Sequence, residues 1–249
     1  TKEFDPILML DSFDSINPDD YTAGFPMHPH RGIETISYVS RGKMVHRDSL
    51  GNEAGISDGE VQWMNSGSGI MHEEMVPAAE RLLGVQLWLN LPAKDKMSKP
   101  SYNSIKNEDI KEIEIEGGKI RLLAGKYGEH EGYKGDYLSM DYYDIHLNAD
   151  AEVTLTMEED DSVMVFTLLG DVYIDGEHIE EKTAVKLTEG DSLTIKNGNE
   201  KAQVLYMNSR ALNEPVAWAG PIVMNTQEEL QKAFLELRSN TFIKETAEY

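Results

Sequence analysis

Gly24-Phe-Pro-Met-His28-Pro-His30-Arg-Gly32 leads without a break into Ile33-Glu-Thr-Ile-Ser-Tyr-Val39. The second half is β-branched and aromatic, the composition of a strand. In the first half two histidines stand two residues apart, which puts both side chains on one face of an extended chain. A later stretch answers it: Gly67-Ser-Gly-Ile-Met-His72-Glu-Glu74, where His72 and Glu74 share that spacing. If both stretches line one barrel, three imidazoles and a carboxylate converge, a donor set for a divalent transition metal. Glu73, between the two, is expected to point away. Taken alone, His28-x-His30 fits a hydrogen-bonded structural pair equally well; the glycine-framed second motif turns the reading towards metal.

Working outward, Pro6-Ile-Leu-Met-Leu10, Lys43 to Asp48, Val61 to Met64 and Leu82 to Leu89 read as further short strands, separated by Gly-, Asn- and Asp-bearing turns. Strands of this length with such turns indicate an antiparallel sandwich or barrel. Residues 92–118 are polar and carry Pro92, Pro100 and Gly117-Gly118; they read as a crossing between domains. A second β region runs from Ile120 to about Asn208, and it echoes the first. Phe166-Thr-Leu-Leu-Gly170-Asp-Val-Tyr, Glu189-Gly-Asp-Ser-Leu-Thr-Ile195 and Asn197-Gly198 repeat the layout of Tyr38-Val-Ser-Arg-Gly42-Lys-Met-Val, Ser57-Asp-Gly-Glu-Val-Gln-Trp63 and Ser66-Gly67. A duplicated barrel explains the repeat. Thr226-Gln-Glu-Glu229 is a capping-box pattern, and Leu230, Ala233, Phe234 and Leu237 follow at helical spacing. The expected architecture is all-β: two antiparallel barrels, over residues 1–110 and 111–249, the second bearing a C-terminal helix over about 226–238.

There is no cysteine in the 249 residues. Disulfides, a thiolate nucleophile and a zinc–thiolate site are excluded, and a reducing cytoplasm is the expected compartment. No apolar run approaches the roughly 18 residues that cross a bilayer, and no basic-then-apolar leader opens the sequence. The net charge of −22 repels a phosphate backbone, so direct nucleic-acid binding is not expected. Residues 1–100 hold 9 Lys/Arg against 15 Asp/Glu, and residues 101–249 hold 14 against 30. The half with the histidine motifs is the less acidic one.

The order His28-Pro-His-Arg-Gly32, Gly67-Ser-Gly-Ile-Met-His72-Glu-Glu74, Gly84-Val-Gln-Leu-Trp-Leu-Asn-Leu-Pro92 resembles the pirin family of the bicupin superfamily. Gly170-Asp-Val-Tyr-Ile and Gly220-Pro-Ile-Val-Met-Asn-Thr226 extend the resemblance over nearly the whole chain. It implies two cupin barrels with a metal in the N-terminal one, held by His28, His30, His72 and Glu74. Iron(II) is the ion it implies, and Mn, Co, Ni, Cu or Zn suit the same donors. It also implies a quercetin 2,3-dioxygenase-like activity, in which an aromatic flavonol and O2 meet at the two coordination positions that four protein ligands leave open. Glu74 would then double as the base for the flavonol hydroxyl. The alternative is a non-enzymatic metal- or redox-responsive regulator that binds a protein partner, and a monomer or weak dimer fits both.

Several residues have plainer expectations. His46, His130, His146 and His178 lack a partner at metal spacing and read as surface or hydrogen-bonded histidines, leaving the second barrel without ligands. Trp63 and Trp88 read as core. Glu34 is expected to support the site from outside or to lie in solvent, and Arg31 to neutralise a carboxylate or lie on the surface. Phe25, Met27, Met44 and Met71 are candidates for an apolar mouth.

Overall fold

Alternation decides the first barrel. Ile70 to Met75 alternates buried and half-buried side chains at every step, the signature of a strand with one face to a core. The computed structural model describes residues 2–188 and 190–245, and Glu189 of the echo lies outside them. It divides into two compact units, one of residues 7–106 with 212–245 and one of residues 2–6 with 107–211. Each is a cupin-type antiparallel barrel.

In the first unit the strands are β1 (Ile7–Ser15), β2 (Phe25–His30), β3 (Ile33–Arg41), β4 (Lys43–Asp48), β5 (Glu53–Ser57), β6 (Glu60–Asn65), β7 (Ile70–Met75), β8 (Leu82–Asn90) and β9 (Ser101–Ile105). They form a sheet of order β1-β8-β3-β6-β9 and another of order β2-β7-β4-β5. Every pairing between them is antiparallel. β3 is buried on both faces up to its last residue. One face carries Ile36 and Tyr38; the other carries Thr35 and Ser37. The crossing expected at 92–118 is thus partly barrel wall, because β9 extends the first sheet through β6.

The second unit continues with β10 (Lys111–Ile115), β11 (Gly118–Ala124), β12 (Lys126–Tyr127), β13 (His130–Glu131), β14 (Met140–Leu147), β15 (Glu152–Thr156), β16 (Asp161–Leu169), β17 (Val172–Ile174), β18 (Glu177–Ile179), β19 (Ala184–Lys186), β20 (Ser192–Asn197) and β21 (Ala202–Arg210). Its main sheets have the orders β10-β11-β14-β21-β16-β19 and β15-β20-β17-β18. The echo holds for β3-Gly42-β4 against β16-Gly170-β17, and both glycines have positive φ. Its second half needs correction. The sequence match sets Ser192–Asn197 against β6, but β20 lies between β15 and β17 as β7 lies between β2 and β4. β20 therefore takes the place of β7. From β15 and β20, Val153, Leu155, Leu193 and Ile195 enter an apolar core.

A last hairpin, β22 (Ala217–Ala219) with β23 (Ile222–Met224), precedes helix α1 (Gln227–Arg238). Thr226 accepts from the Glu229 N–H, and Glu229 reaches back to the Thr226 N–H, so the expected capping box is formed. The helix was expected with the second barrel. It packs instead in the first unit, where Leu230 and Ala233 meet Ala217, Ile222, Met224 and Phe242. The apolar stripe was readable, but its partner is a hairpin that follows the second barrel and returns to the first unit.

Candidate metal centre

Cross-strand register builds the site. On the smaller sheet of the first unit His28 of β2 lies opposite His72 of β7, and His30 lies opposite Ile70. β4 flanks the other side of β7, with His46 opposite Glu74 and Asp48 opposite His72. Directly opposed residues point to the same face, so one grid of polar side chains covers the inner wall. The ligand atoms of His28, His30 and His72 all lie within 4.8 Å of one another, the group able to hold a metal among the described residues. His30 and His72 are buried and His28 is half-buried.

The hydrogen bonds fix which nitrogens face inward. His28 Nδ1 lies 2.8 Å from the Pro26 carbonyl and His30 Nδ1 3.1 Å from the Pro221 carbonyl. A carbonyl only accepts, so both Nδ1 atoms carry the proton and both Nε2 atoms present a lone pair when the rings are neutral. These Nε2 atoms face each other at 3.0 Å. Two lone pairs at that distance repel unless a cation lies between them. Protonation is disfavoured, because burial first, and then the neighbouring His28, pushes His30 down to about 3. Burial, with His30, His28 and His46 nearby, likewise drives His72 well below the usual imidazole range. His72 Nε2 is buried with no hydrogen-bond partner. Metal–nitrogen bonds of about 2.1 Å at a right angle put donor nitrogens about 3 Å apart. The His28 and His30 nitrogens therefore stand at the spacing of two ligands on one divalent ion, with a ligand atom of His72 within 4.8 Å of both.

Glu74 shares the inward face with His72 but stands apart from the triad. Its carboxylate accepts from the Gln62 amide, and from Gln86 Nε2 at 3.1 and 3.2 Å. Gln62 and Gln86 lie opposite Ser37 on either side of β3 and donate to its hydroxyl at 3.2 and 2.9 Å. A row of amides on the larger sheet thus meets the carboxylate of the smaller one. Burial raises the Glu74 pKa, opposed by Gln86, by the imidazoles of His46 and His28, and by Gln62.

Other expectations divide. Glu73 points away from the inner face and lies 3.8 Å from Arg47. Glu34 is buried, which removes the solvated alternative. Arg31 is buried too, and pairs with Glu236 at 2.8 Å. Trp63 is core, whereas Trp88 is half-buried and stands edge-on to His30 at 5.0 Å. Trp88 is two residues from Gln86 and so shares its inward face. Phe25 and Met27 are exposed on β2, Met71 is half-buried, and Met44 belongs to the core with Val39 and Ile56. Gln62, Gln86 and Asp48 escaped the sequence reading, and His46 passed only as a hydrogen-bonded histidine. The spacing His46-x-Asp48 was the available signal, identical to that of the two motifs. Gln62 and Gln86 gave none, since strand register alone brings them to Glu74.

The sequence profile of the family described as Pirin matches residues 1–89, and that of the Pirin C-terminal cupin domain matches residues 142–243. A protein of Pseudomonas aeruginosa, provisionally named a quercetin 2,3-dioxygenase, is 38% identical over 247 residues, covering 95% of this chain and 86% of the relative. Pirin of Homo sapiens is 36% identical over 248 residues, covering 96% and 83%. A crystal structure of quercetin 2,3-dioxygenase from Acinetobacter baumannii superposes with a TM-score of 0.88 at 33% identity, over 97% of this chain and 87% of that one.

Proposed function

Because the chain belongs to the pirin family and brings three imidazoles together inside a barrel, we propose that it is a metal-dependent dioxygenase opening a flavonol such as quercetin with O2. The observation that carries this reading is the unpartnered, buried His72 Nε2 beside two facing imidazole nitrogens. His28, His30 and His72 hold the ion in the barrel of the first unit, and Glu74, held on the same inner face by the Gln62 and Gln86 amides, joins as fourth donor by giving up an amide hydrogen bond. Iron(II) is the ion proposed, and the cytoplasm of a cysteine-free chain the compartment. When bound, the ion supplies Lewis acidity towards a substrate oxygen and redox contact with dioxygen.

The chain's own residues do the rest. Glu74 takes the proton of the flavonol hydroxyl; burial raises its basicity, and Gln62 and Gln86 hold its orientation. Trp88 forms an aromatic wall beside His30. Phe25, exposed on β2 and opposite Glu74, supplies apolar surface for an aromatic ligand. The test is to mix iron-loaded protein with quercetin and follow oxygen uptake and carbon monoxide release. His30→Ala and His72→Ala should each lose metal by elemental analysis while keeping the circular dichroism of a β protein, since a large β core does not depend on its ion for folding. Wild-type metal content in both variants would remove these ligands from consideration. Absence of turnover, with capture of a protein partner only by the metal-loaded chain, would replace the enzymatic reading with the regulatory one.

A further inference from the structure

His46 and Asp48 form a third pair at strand spacing, and the metal centre as described leaves them unused. Both side chains are fully buried. His46 Nε2 lies 2.8 Å from Asp48 Oδ2, and His46 Nδ1 lies 3.4 Å from His72 Nδ1. A carboxylate accepts, so the His46 proton sits on Nε2 and its Nδ1 offers a lone pair. The proton between the two Nδ1 atoms then belongs to His72. That leaves His72 Nε2 as a bare lone pair, the atom that has no hydrogen-bond partner. Both nitrogens of His46 are engaged, so His46 is not itself a ligand.

The far end of this chain is anchored. Asp48 Oδ1 accepts from the Leu50 and Asn52 N–H groups at 2.9 and 3.1 Å, and Oδ2 accepts from the Asn52 amide at 2.9 Å. The His46 ring stacks on Tyr102, 4.1 Å between centroids and 13° from parallel. Neither ring plane nor carboxylate is left to turn.

We propose that Asp48 and His46 form a hydrogen-bond relay that sets the tautomer of His72 and thereby presents its Nε2 to the metal. Both are positioning residues, and the proposal rests on the metal-centre reading above. A partner behind a metal-binding histidine fixes its tautomer and orientation, and removing one weakens metal binding by about 10–100-fold.

Asp48→Asn separates tautomer from architecture. The oxygen of the introduced amide stays on the Leu50 and Asn52 N–H groups, so its NH2 faces His46 and the Asn52 side chain, whose amide must turn over to accept. His46 then accepts at Nε2 and donates from Nδ1, and His72 must carry its proton on Nε2, where a metal cannot bind. Long-range 1H–15N spectra of the full metal-free chain read this directly. The expected result is a proton on His72 Nδ1 in the wild type and on Nε2 in Asp48→Asn, with about 10–100-fold weaker cobalt(II) binding by chelator competition. His46→Gln, whose amide oxygen accepts from His72, should retain most of the affinity that His46→Leu loses. A wild-type chain protonated on His72 Nε2, or wild-type cobalt affinity in both Asp48→Asn and His46→Leu, overturns the relay. A wild-type chain that takes up no cobalt overturns the metal-centre reading instead, and the nitrogen spectra still decide whether Asp48 and His46 set the tautomer.

Discussion

Gly32, the residue that joins the histidine pair to β3, has φ +78°, and a Cβ built there would lie 1.9 Å from the Val223 carbonyl oxygen. No side chain fits. Gly32→Ala should cost about 1–2 kcal/mol for the left-handed backbone alone, and more for the clash with fixed backbone. Urea unfolding measures the loss, and an unchanged midpoint would contradict this packing. The space is closed by Lys96, 1% exposed, whose amine donates to Gly32 O at 2.8 Å, Asn90 Oδ1 at 2.7 Å and Val223 O at 3.2 Å. Burial lowers its pKa to about 8, against the pull of Glu214 and Glu229. The unfolded value is 10.5, so the cost of burying the charge is fully present below pH 8 and is relieved as pH climbs towards 10.5. Lys96→Met takes the amine from Asn90 Oδ1 and Val223 O, while Gly32 O keeps the Leu91 N–H at 3.3 Å, and should lose about 1–3 kcal/mol for each acceptor left unmatched that water cannot reach. The stability of wild type relative to that variant should grow between pH 8 and 10.5, and a gap that shrinks there would show that the sign is wrong.

At the scale of elements, helix α1 is tied to the histidine motif. Arg31 directly follows His30, pairs with Glu236 at 2.8 Å, donates to the Phe242 carbonyl at 2.9 Å, and stacks over the Phe242 ring at 4.2 Å. Lys244 adds a second cation 3.0 Å from Glu236. Burial alone would raise the Glu236 carboxyl, but hydrogen bonds from Lys244 and Arg31 outweigh it and hold the group below its usual 4.5. A lowered carboxyl stabilises the fold above the unfolded value and ceases to as pH falls through the folded one. Glu236→Gln should therefore cost about 2–3 kcal/mol at pH 7. The cost should vanish as the wild type is titrated below pH 4.5 in a denaturation series. A difference independent of pH would mean that the helix docks by its apolar stripe alone. The helix could be read from Thr226-x-x-Glu229 and its spacing of Leu230, Ala233 and Leu237. Its seat could not, because a stripe states that a partner exists and not which one.

Across the molecule, what the sequence disclosed were periods, and what it hid were registers. Alternation gave the strands, and the i, i+2 pairs placed His28, His30 and His72 on one wall. The amides that hold Glu74, the edge-on Trp88 and the true counterpart of β7 depend on which strands adjoin, and a local pattern does not encode that. The one whole-chain property that needs no register is charge. With 45 acidic against 23 basic residues the folded chain repels itself. Screening shortens that repulsion from a range of about 30 Å at 0.01 M salt to about 8 Å at 0.15 M. Folding concentrates the charges, so salt should favour the native state, and the thermal midpoint should rise between those concentrations. Each kcal/mol gained shifts it by about 2–4 °C for a chain of this size. Residues 101–249, with 30 acidic against 14 basic groups, should gain more protection from hydrogen exchange than residues 1–100. Sodium chloride is the right probe, because sulfate would also strengthen apolar burial. The Arg31–Glu236 pair, with Arg31 buried and Glu236 half-buried, is screened less than exposed charges, so its coupling in a double-mutant cycle should change less over the same range than that of an exposed pair. A midpoint that is flat or falls with salt would mean that exposed ion pairs such as Arg81–Asp14, 2.6 Å apart, outweigh the net repulsion.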